Sequence, residues 1–227
     1  KSKVDHFLKP TEHVQTDGIV QETANKITKG ITDPDKKAQA IYDWIIDNTF
    51  RDASTRGCGL GDVKGMLLTG NLKGKCADLN SLFVGLARAA GVPAREVWGL
   101  RVGPSEWQTI LGKEGDVTKS QHCRAEYYSK NKKAWIAVDP ADIRKLVLDG
   151  KFELESKEVR DMRKTLFGKW EGNWVAYNYG RDFQLPGQKE TLNYFMYPQL
   201  VSSKYAPDGM DPVEVQYSIT SKVINKL

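Results

Sequence analysis

The sequence lacks several features that would place it in a specialised class of protein. Its 227 residues contain no apolar run of about 18 residues or more, the length that a membrane-spanning helix needs. It has only three cysteines, so at least one thiol stays free even if the other two pair. A chain of this length can build a full core without such cross-links. There are no internal repeats either, and these absences favour one ordinary globular domain.

Positive charge exceeds negative charge only modestly, with 34 Lys and Arg against 29 Asp and Glu and a net charge of +5. The basic residues are dispersed, and we interpret the small groups at 130–133 and 160–164 as solvated faces. A nucleic-acid-binding surface needs a clustered basic stripe with interleaved aromatic residues, so no nucleic-acid partner is predicted. An acidic partner or a cell-envelope surface stays open.

The apolar pattern changes along the chain from helical spacing to alternation. Helices are predicted at 34–47, 63–68, 76–90 and 156–166, and strands at 95–102, 121–128, 134–139, 173–179, 191–197 and 213–220. Helices that precede strands predict an α+β fold with an antiparallel sheet. We divide the chain into an N-terminal segment (1–32), a core (33–145) and a β-rich C-terminal extension (146–227) packed on the same domain.

The clearest predicted element is the helix that begins at Cys76, because its apolar residues form a single stripe. Gly91 and Pro93 end this helix. A helix N-terminus stabilises a thiolate, and its N–H groups can also hold an oxyanion. Gly74 allows a sharp turn and a close approach of substrate just before the thiol. Cys76 is therefore the candidate nucleophile, although a free cysteine considered alone is more commonly structural.

Two later strands offer the partners that such a nucleophile needs. If the hairpin loop is the four residues 129–132, His122 lies directly opposite Asp139. Directly opposed residues share a face of the sheet, with Cβ atoms about 4.5–5.5 Å apart. A register slip of one residue would put them on opposite faces. We expect His122 to act as the base and Asp139 to orient it, whereas Asp142 lies past the proline and is less well aimed.

Three stretches of the chain resemble the transglutaminase-like superfamily. Residues 74–95 look like its nucleophile helix, residues 121–127 like its histidine strand, and residues 135–140 like its aspartate strand. The order Cys, His, Asp also agrees, and the motifs together cover about residues 35–145. Jointly these motifs are highly specific.

The resemblance implies a papain-like core, in which the nucleophile helix packs on an antiparallel sheet that carries His and Asp. It implies acyl transfer from amide or peptide bonds through a thioester, as in the protease, amidase and transglutaminase members, and a protein or peptide substrate. No cofactor is predicted, and no metal, because no acidic loop has calcium-ligand spacing. Cys123 departs from the usual small or aromatic residue after His. Strict alternation turns it away from His122, so we expect it in the core.

A second oxyanion donor is expected from the region 44–60, where Trp44 and Asn48 are weak candidates. Cys58 lies in a glycine-rich segment and either lines the cleft or packs inside. Asn178, within the aromatic-rich C-terminal extension, either walls the cleft or only packs. The oligomeric state is left open.

Other functions fit the motifs less well. The segment 57–62 lacks the Lys-Ser/Thr pair of a phosphate-binding loop. A zinc site made of Cys58, Cys76, Cys123 and His122 would match no common ligand spacing. The main alternative is a non-catalytic binding module of the cell envelope, and the intact Cys, His and Asp argue against it.

Export from the cytoplasm is expected from a resemblance. The segments 56–62 and 173–178 resemble a bacterial, exported branch of the superfamily, so we predict a periplasmic or cell-envelope location. The chain begins at Lys1 without an initiator methionine, and a cleaved signal peptide and a trimmed end explain this equally well.

Overall fold

A computed structural model describes residues 3–200, 207–211, 213–222 and 224, so small parts of the predicted N-terminal segment and C-terminal extension lie outside it. The α-helices of the described residues are α1 (Ile19–Ile27), α2 (Pro34–Asn48), α3 (Val63–Thr69), α4 (Cys76–Ala89), α5 (Pro140–Leu148) and α6 (Lys157–Thr165). Short 3₁₀ helices lie at Lys3–Leu8 and Thr109–Leu111. The four helices predicted from the sequence correspond to α2, α3, α4 and α6.

The strands in the same residues are β1 (Phe50–Arg51), β2 (Lys73–Gly74), β3 (Ala94–Arg101), β4 (Gly115–Asp116), β5 (Gln121–Ser129), β6 (Ala134–Val138), β7 (Trp174–Asn178), β8 (Phe183–Gln184), β9 (Thr191–Leu192) and β10 (Thr220–Ser221). Four of them form an antiparallel sheet in the order β6-β5-β3-β7. The others make two-residue ladders, β1 with β2, β4 with β10, and β8 with β9. Since helices pack on an antiparallel sheet, the fold is α+β, as the sequence predicts.

Helix α4 lies at the centre of the molecule and packs against β5, β3 and the other main helices. Its apolar stripe is fully buried, including Leu79, Leu82, Phe83 and Leu86. Each such side chain contributes about 1.5–3 kcal/mol relative to an exposed position. The helix ends at Gly91, whose φ of +82° suits glycine. This packing fixes the start of α4, and with it Cys76, against the sheet.

The hairpin that joins β5 and β6 has a different register from the predicted one. Ser129 pairs with Ala134 and Ala125 pairs with Val138, so the pairing is shifted by two residues. The turn is therefore 130–133, closed by a hydrogen bond from Lys132 N–H to Ser129 Oγ of 3.0 Å. A shift of two residues leaves every side chain on its predicted face. For that reason the predicted proximity of His122 and Asp139 survives the error.

A helix that the sequence reasoning missed follows β6 directly. Asp139 is the N-cap of α5, since its Oδ1 accepts a hydrogen bond from Asp142 N–H at 3.2 Å, and Pro140 is the first helical residue. Ile143 and Leu146 are fully buried on its inner face. Proline at the first position with an acidic N-cap is a favourable helix start. The cap fixes the carboxylate of Asp139 at the end of the strand.

The C-terminal extension contains less regular strand than predicted. Strand β7 matches the expectation for 173–179, whereas only Thr191–Leu192 and Thr220–Ser221 of the other two predicted strands form ladders. Two aromatic side chains of this region, Tyr194 and Tyr197, bind the loop before α4 instead. Tyr194 Oη donates to the carbonyl of Gly59 at 2.7 Å, and Tyr197 Oη donates to Cys58 Sγ at 3.1 Å. Because the aromatics are used in these contacts, the segment follows the core rather than a sheet.

The N-terminal residues also pack on the core, with α1 against α4. A short ion pair of 2.5 Å between His13 Nδ1 and Asp182 Oδ1 ties this segment to the C-terminal extension. Within the described residues, no helix is both long enough and apolar enough to cross a membrane.

Candidate active site

Cys76 is the first residue of α4, and the backbone around it is held by the helix itself and by the preceding loop. Asp78 accepts a hydrogen bond from Lys75 N–H at 2.9 Å, and Ala77 N–H donates to the carbonyl of Cys58 at 2.9 Å. No described residue accepts a hydrogen bond from Cys76 N–H. The helix thus offers a free N–H and its positive end beside the thiol.

The glycine-rich loop before α4 is closed onto the helix by the carboxylate of Asp78. This group also accepts from Gly61 N–H at 2.9 Å. At Gly59, where φ is +93°, an added Cβ would lie 1.8 Å from Asp78 Oδ2. Only glycine fits such a close approach with positive φ. Arg181 completes the closure, because its Nη2 donates to the carbonyls of Leu60 and Gly61 at 3.0 and 2.8 Å.

His122 and Asp139 form a buried hydrogen-bonded pair. His122 Nε2 lies 2.7 Å from Asp139 Oδ2, and the two residues are 5% and 0% exposed. The carboxylate accepts from the ring, so Nε2 carries the proton and Nδ1 is left to face Cys76. Asn80, one turn after Cys76 on α4, approaches Asp139 Oδ1 with its Nδ2 at 3.4 Å. The start of α4, strand β5 and the residue after β6 therefore meet at this site.

A second carboxylate, Asp142, lies beside the pair, although the sequence analysis considered it only as a less well aimed alternative to Asp139. Its Oδ1 lies 3.6 Å from His122 Nε2 and 2.5 Å from Arg101 Nη2. Burial and Arg101 lower the pKa of His122, but Asp142 and Asp139 raise it by more, so the net shift is upward. Burial opposes ionisation of Asp142, yet the guanidinium of Arg101 holds its pKa well below the usual range. Burial and the charge of Asp142 raise the pKa of Asp139, against the opposing effect of His122 and Arg124, so Asp142 is the more strongly acidic of the two carboxyls beside the ring.

The three cysteines lie close together and titrate differently. Hydrogen bonds from the thiols of Cys123 and Cys58 lower the pKa of Cys76 well below its ordinary value; burial opposes this shift, and the bond and charge of His122 assist it. The pKa values of Cys58 and Cys123 are raised, the first by its bond to Cys76 and by burial, the second by burial and then by the same bond. All three are free cysteines. Cys76 is thus the favoured thiolate, and its neighbours stay protonated.

Cys123 is fully buried, as expected for a core residue. Alternation along β5 predicts that it lies on the opposite face from His122, yet its thiol still lowers the pKa of Cys76. Asn80 Nδ2 lies 2.9 Å from its carbonyl and 3.8 Å from its sulfur. The sequence reasoning assigned the residue to the core and did not anticipate the contact between the two thiols.

A cavity of about 830 Å³ opens over Cys76 and His122. Its walls come from the loop before α4, from the segment 109–121 and from the C-terminal extension, including Tyr197 and Tyr217. Of the low-ranked candidate residues, only Cys58 lines this cavity.

The other three candidates, Trp44, Asn48 and Asn178, do not line this cavity. Trp44 packs on the core and lines a separate pocket of about 350 Å³, which residues of α1 also line. Asn48 uses its Nδ2 to bond the carbonyl of Trp44 at 2.8 Å, as an exposed helix end. Asn178 donates to the carbonyl of Phe195 at 2.7 Å and holds the C-terminal extension together. Hydrogen bonds to backbone carbonyls thus account for the side chains of Asn48 and Asn178.

Possible metal ligands also cluster at two places among the described residues. Two sets bring their ligand atoms within 4.8 Å of one another, namely Glu12, His13 and Asp182, and His122, Asp139 and Asp142. In the second set, Arg101 and Arg124 already neutralise the carboxylates, which disfavours a divalent cation there.

The chain is similar in sequence to a known family and to a protein of another organism. The model of the family described as "Transglutaminase-like superfamily" matches residues 21–140. An uncharacterized protein of Haemophilus influenzae is 44% identical over 231 residues, which cover 96% of this chain and 62% of that protein. The chain therefore spans about three fifths of this relative's length.

Two solved structures are similar to part of the chain. A candidate cysteine protease from Cytophaga hutchinsonii is 25% identical, with a TM-score of 0.47 over 62% of this chain and 43% of that one. The periplasmic domain of TgpA from Pseudomonas aeruginosa, bound to ethylmercury, is 20% identical, with a TM-score of 0.45 over 60% and 48%. The family match spans over half of the chain and includes Cys76, His122 and Asp139. The protein belongs to the transglutaminase-like superfamily.

Proposed function

We propose that the protein is a cysteine-dependent enzyme that cleaves amide or peptide bonds through a thioester, as a protease or amidase or as an amine transferase. In this proposal Cys76 is the nucleophile, His122 is the general base and acid, and Asp139 orients the imidazole. One observation carries the proposal. The thiol at the start of α4 borders a cavity together with a histidine whose other nitrogen is bonded to a buried carboxylate.

The electrostatics support thiolate chemistry at this position. The lowered pKa of Cys76 and the raised pKa of His122 favour a thiolate beside an imidazolium. A thiolate is the reactive form of cysteine, and a pre-formed ion pair needs no proton transfer before attack. The helix end adds a partial positive charge.

The acylation step follows from these groups. The thiolate of Cys76 attacks the carbonyl carbon, and the carbonyl electron pair moves to the oxygen. Cys76 N–H, which has no acceptor among the described residues, is placed to donate to that oxyanion. As the intermediate collapses, the C–N bond breaks and the imidazolium of His122 gives its proton to the leaving amine. A thioester and a neutral imidazole remain.

The second step regenerates the enzyme. His122 takes a proton from water or from an acceptor amine, which attacks the thioester carbon. The C–S bond then breaks, and the thiolate leaves while the imidazolium is restored. Asp139 keeps its hydrogen bond to Nε2 throughout and so holds the ring in the tautomer that directs Nδ1 to the thiol. Water gives hydrolysis, and an amine gives transfer.

The test is turnover by a Cys76→Ala variant, compared with wild type on a mixture of peptides and on a peptide plus an amine acceptor. The proposal expects loss of both products with an unchanged circular dichroism spectrum. Undiminished turnover by this variant would refute it. The ratio of hydrolysis to amine incorporation by wild type decides between protease and transferase, and a folded wild type without either activity would favour the binding module.

Two further expectations belong to the same proposal. We expect segments 1–32 and 146–227 to fold with the core 33–145 as one unit, a view supported by the contact of α1 with α4 and by the ion pair of His13 with Asp182. Limited proteolysis that released either segment without loss of the core would contradict it. Export is proposed from the resemblance of the motifs, and cell fractionation tests it.

A further inference from the structure

The cavity over Cys76 is lined by side chains of one charge sign. Seven basic residues contribute to its walls, and none of the described lining residues is Asp or Glu. The basic residues come from separate segments of the chain. Arg51, Arg56 and Lys75 belong to the approach to α4, Arg101 ends β3, and Lys145 lies on α5.

Lys113 and Lys119 complete the set, from the segment between β3 and β5. Both side chains belong to exposed residues of the cavity mouth. Basic residues that are dispersed in the sequence therefore converge in space, which the composition of the chain does not reveal.

Carboxylates outside the lining neutralise only part of this charge. Asp142 pairs with Arg101, and Asp208 pairs with Arg56. One carboxylate, Asp149, serves two cations, with Arg51 Nε at 3.1 Å and Lys145 Nζ at 2.7 Å from the same oxygen. Seven cations against three paired carboxylates leave an excess of four positive charges.

The excess lies mainly on three lysines. Lys75 donates to the carbonyl of Thr55 at 2.7 Å, a neutral partner. No described carboxylate is within ion-pair distance of Lys113 or Lys119. Asp52 and Asp116 accept local hydrogen bonds from Ser54 and Thr118 and do not line the cavity, and neither does Glu114, which follows Lys113 in the sequence. Counting all three acids still leaves a positive excess.

The walls also carry apolar surface, from Ile110, Met210, Val215 and the rings of Tyr197 and Tyr217. A site for a small anion such as free phosphate needs a few convergent donors and little apolar area. A mixture of apolar wall and separated cations suits an extended chain that carries both kinds of side chain.

We infer that the cavity binds an acidic peptide, a polypeptide segment with Asp or Glu side chains near the amide that Cys76 attacks. The inference rests on the proposed function, since it names the substrate class of the same cysteine. The lysines of the mouth attract and hold the carboxylates, and the apolar wall takes the intervening side chains. Charged lining of one sign also speeds the encounter with a substrate of opposite sign.

The experiment compares three peptides of equal length that carry Glu, Gln or Lys at the same positions. Binding is measured by fluorescence anisotropy on the Cys76→Ala protein, and turnover is measured on wild type. The Glu peptide is expected to bind most tightly and the Lys peptide most weakly. Exposed ion pairs contribute about 0.2–1 kcal/mol each, so two lost pairs predict a weakening of about 2- to 30-fold in Lys113→Gln/Lys119→Gln.

The matched control is Lys130→Gln/Lys132→Gln, which removes the same charge from an exposed hairpin that does not line the cavity. It should leave the affinity for the Glu peptide unchanged. The preference should also fade between about 10 mM salt, where the Debye length is about 30 Å, and about 1 M salt, where it is about 3 Å. Inorganic phosphate serves as a competitor, and should displace the peptide only weakly.

The outcomes separate the inference from the proposed function. Equal affinity for all three peptides, tighter binding of the Lys peptide, or no peptide binding would overturn the inference. Efficient competition by phosphate would overturn it as well, in favour of a small-anion site. Tight binding of the Glu peptide without turnover would support the inference and refute the enzymatic function, whereas turnover without charge preference would do the reverse.

Discussion

The exchange Asp139→Asn isolates the electrostatic role of the carboxylate beside His122. Asparagine has nearly the same shape and is an equally good N-cap, so it can keep the hydrogen bond from Asp142 N–H that starts α5. It removes the negative charge that lies 2.7 Å from His122 Nε2. The fold should therefore persist while the imidazolium loses its partner.

The magnitude can be worked from that contact. A hydrogen bond to a charged group is worth about 1.5–3 kcal/mol, and one pKa unit corresponds to about 1.36 kcal/mol. The pKa of His122 should thus fall, because the ring loses this partner. Asp142 stays 3.6 Å from Nε2 and continues to favour the charged ring, so we expect the energetic loss to lie near the lower end of this range. The same loss at the transition state would reduce kcat/KM by about 10- to 150-fold.

The assay is an NMR titration of histidine in a Cys76→Ala background, where no thiolate couples to the ring. The sequence has three histidines, so His6 and His13 provide internal controls that should not shift. Asp161→Asn, an exposed carboxylate paired with Lys157, is the matched control for the chemical exchange. An unchanged or raised pKa of His122 in Asp139→Asn would refute the reasoning.

Two other predictions concern the thiol and the loop before it. Because the pKa of Cys76 is lowered, its rate of alkylation should already be at a plateau below the ordinary thiol pKa of about 8.5, and it should decline only as acid reprotonates the thiolate. Turnover should also fall at higher pH, because His122 then loses the proton that the leaving amine needs. A rate that climbs steadily through that ordinary value would contradict this. Gly59→Ala should lower the free energy of unfolding, measured by denaturant titration, by about 1–3 kcal/mol more than Gly30→Ala does. Both glycines have positive φ, but only a Cβ at position 59 would displace the Asp78 carboxylate. Equal losses of unfolding free energy in the two variants would show that the loop accommodates the added methyl group without an energetic cost.

The central part of the fold could be predicted because its signals are local. The apolar stripe of α4, its start at Cys76 and its end at Gly91 are all present in one continuous segment. The strand that carries His122 and the apolar strand before Asp139 were both placed correctly, and the error in register was a shift of two residues, which keeps the side-chain faces. The sequence did not show that Ser129 Oγ would close the turn one residue later than assumed.

Other features depend on contacts between distant segments. Asp142 and Arg101 are far apart in sequence, and only the fold shows that they form an ion pair next to His122. The helix α5 had a readable signal, since Asp139-Pro140 repeats the Asp33-Pro34 start of α2, but a strand-ending turn explained the same two residues. The aromatic residues of the extension alternate like strand residues, yet Tyr194 and Tyr197 bind the loop before α4.

The most direct test of the central claim is the site at which the protein reacts with a limiting amount of iodoacetamide at a pH of about 6, well below the ordinary thiol pKa. Peptide mass mapping identifies the modified cysteine in the folded protein. The account predicts a single adduct on Cys76, formed much more slowly in a His122→Gln variant that retains the fold. Equal labelling of Cys58 or Cys123, or a rate that does not depend on His122, would contradict it.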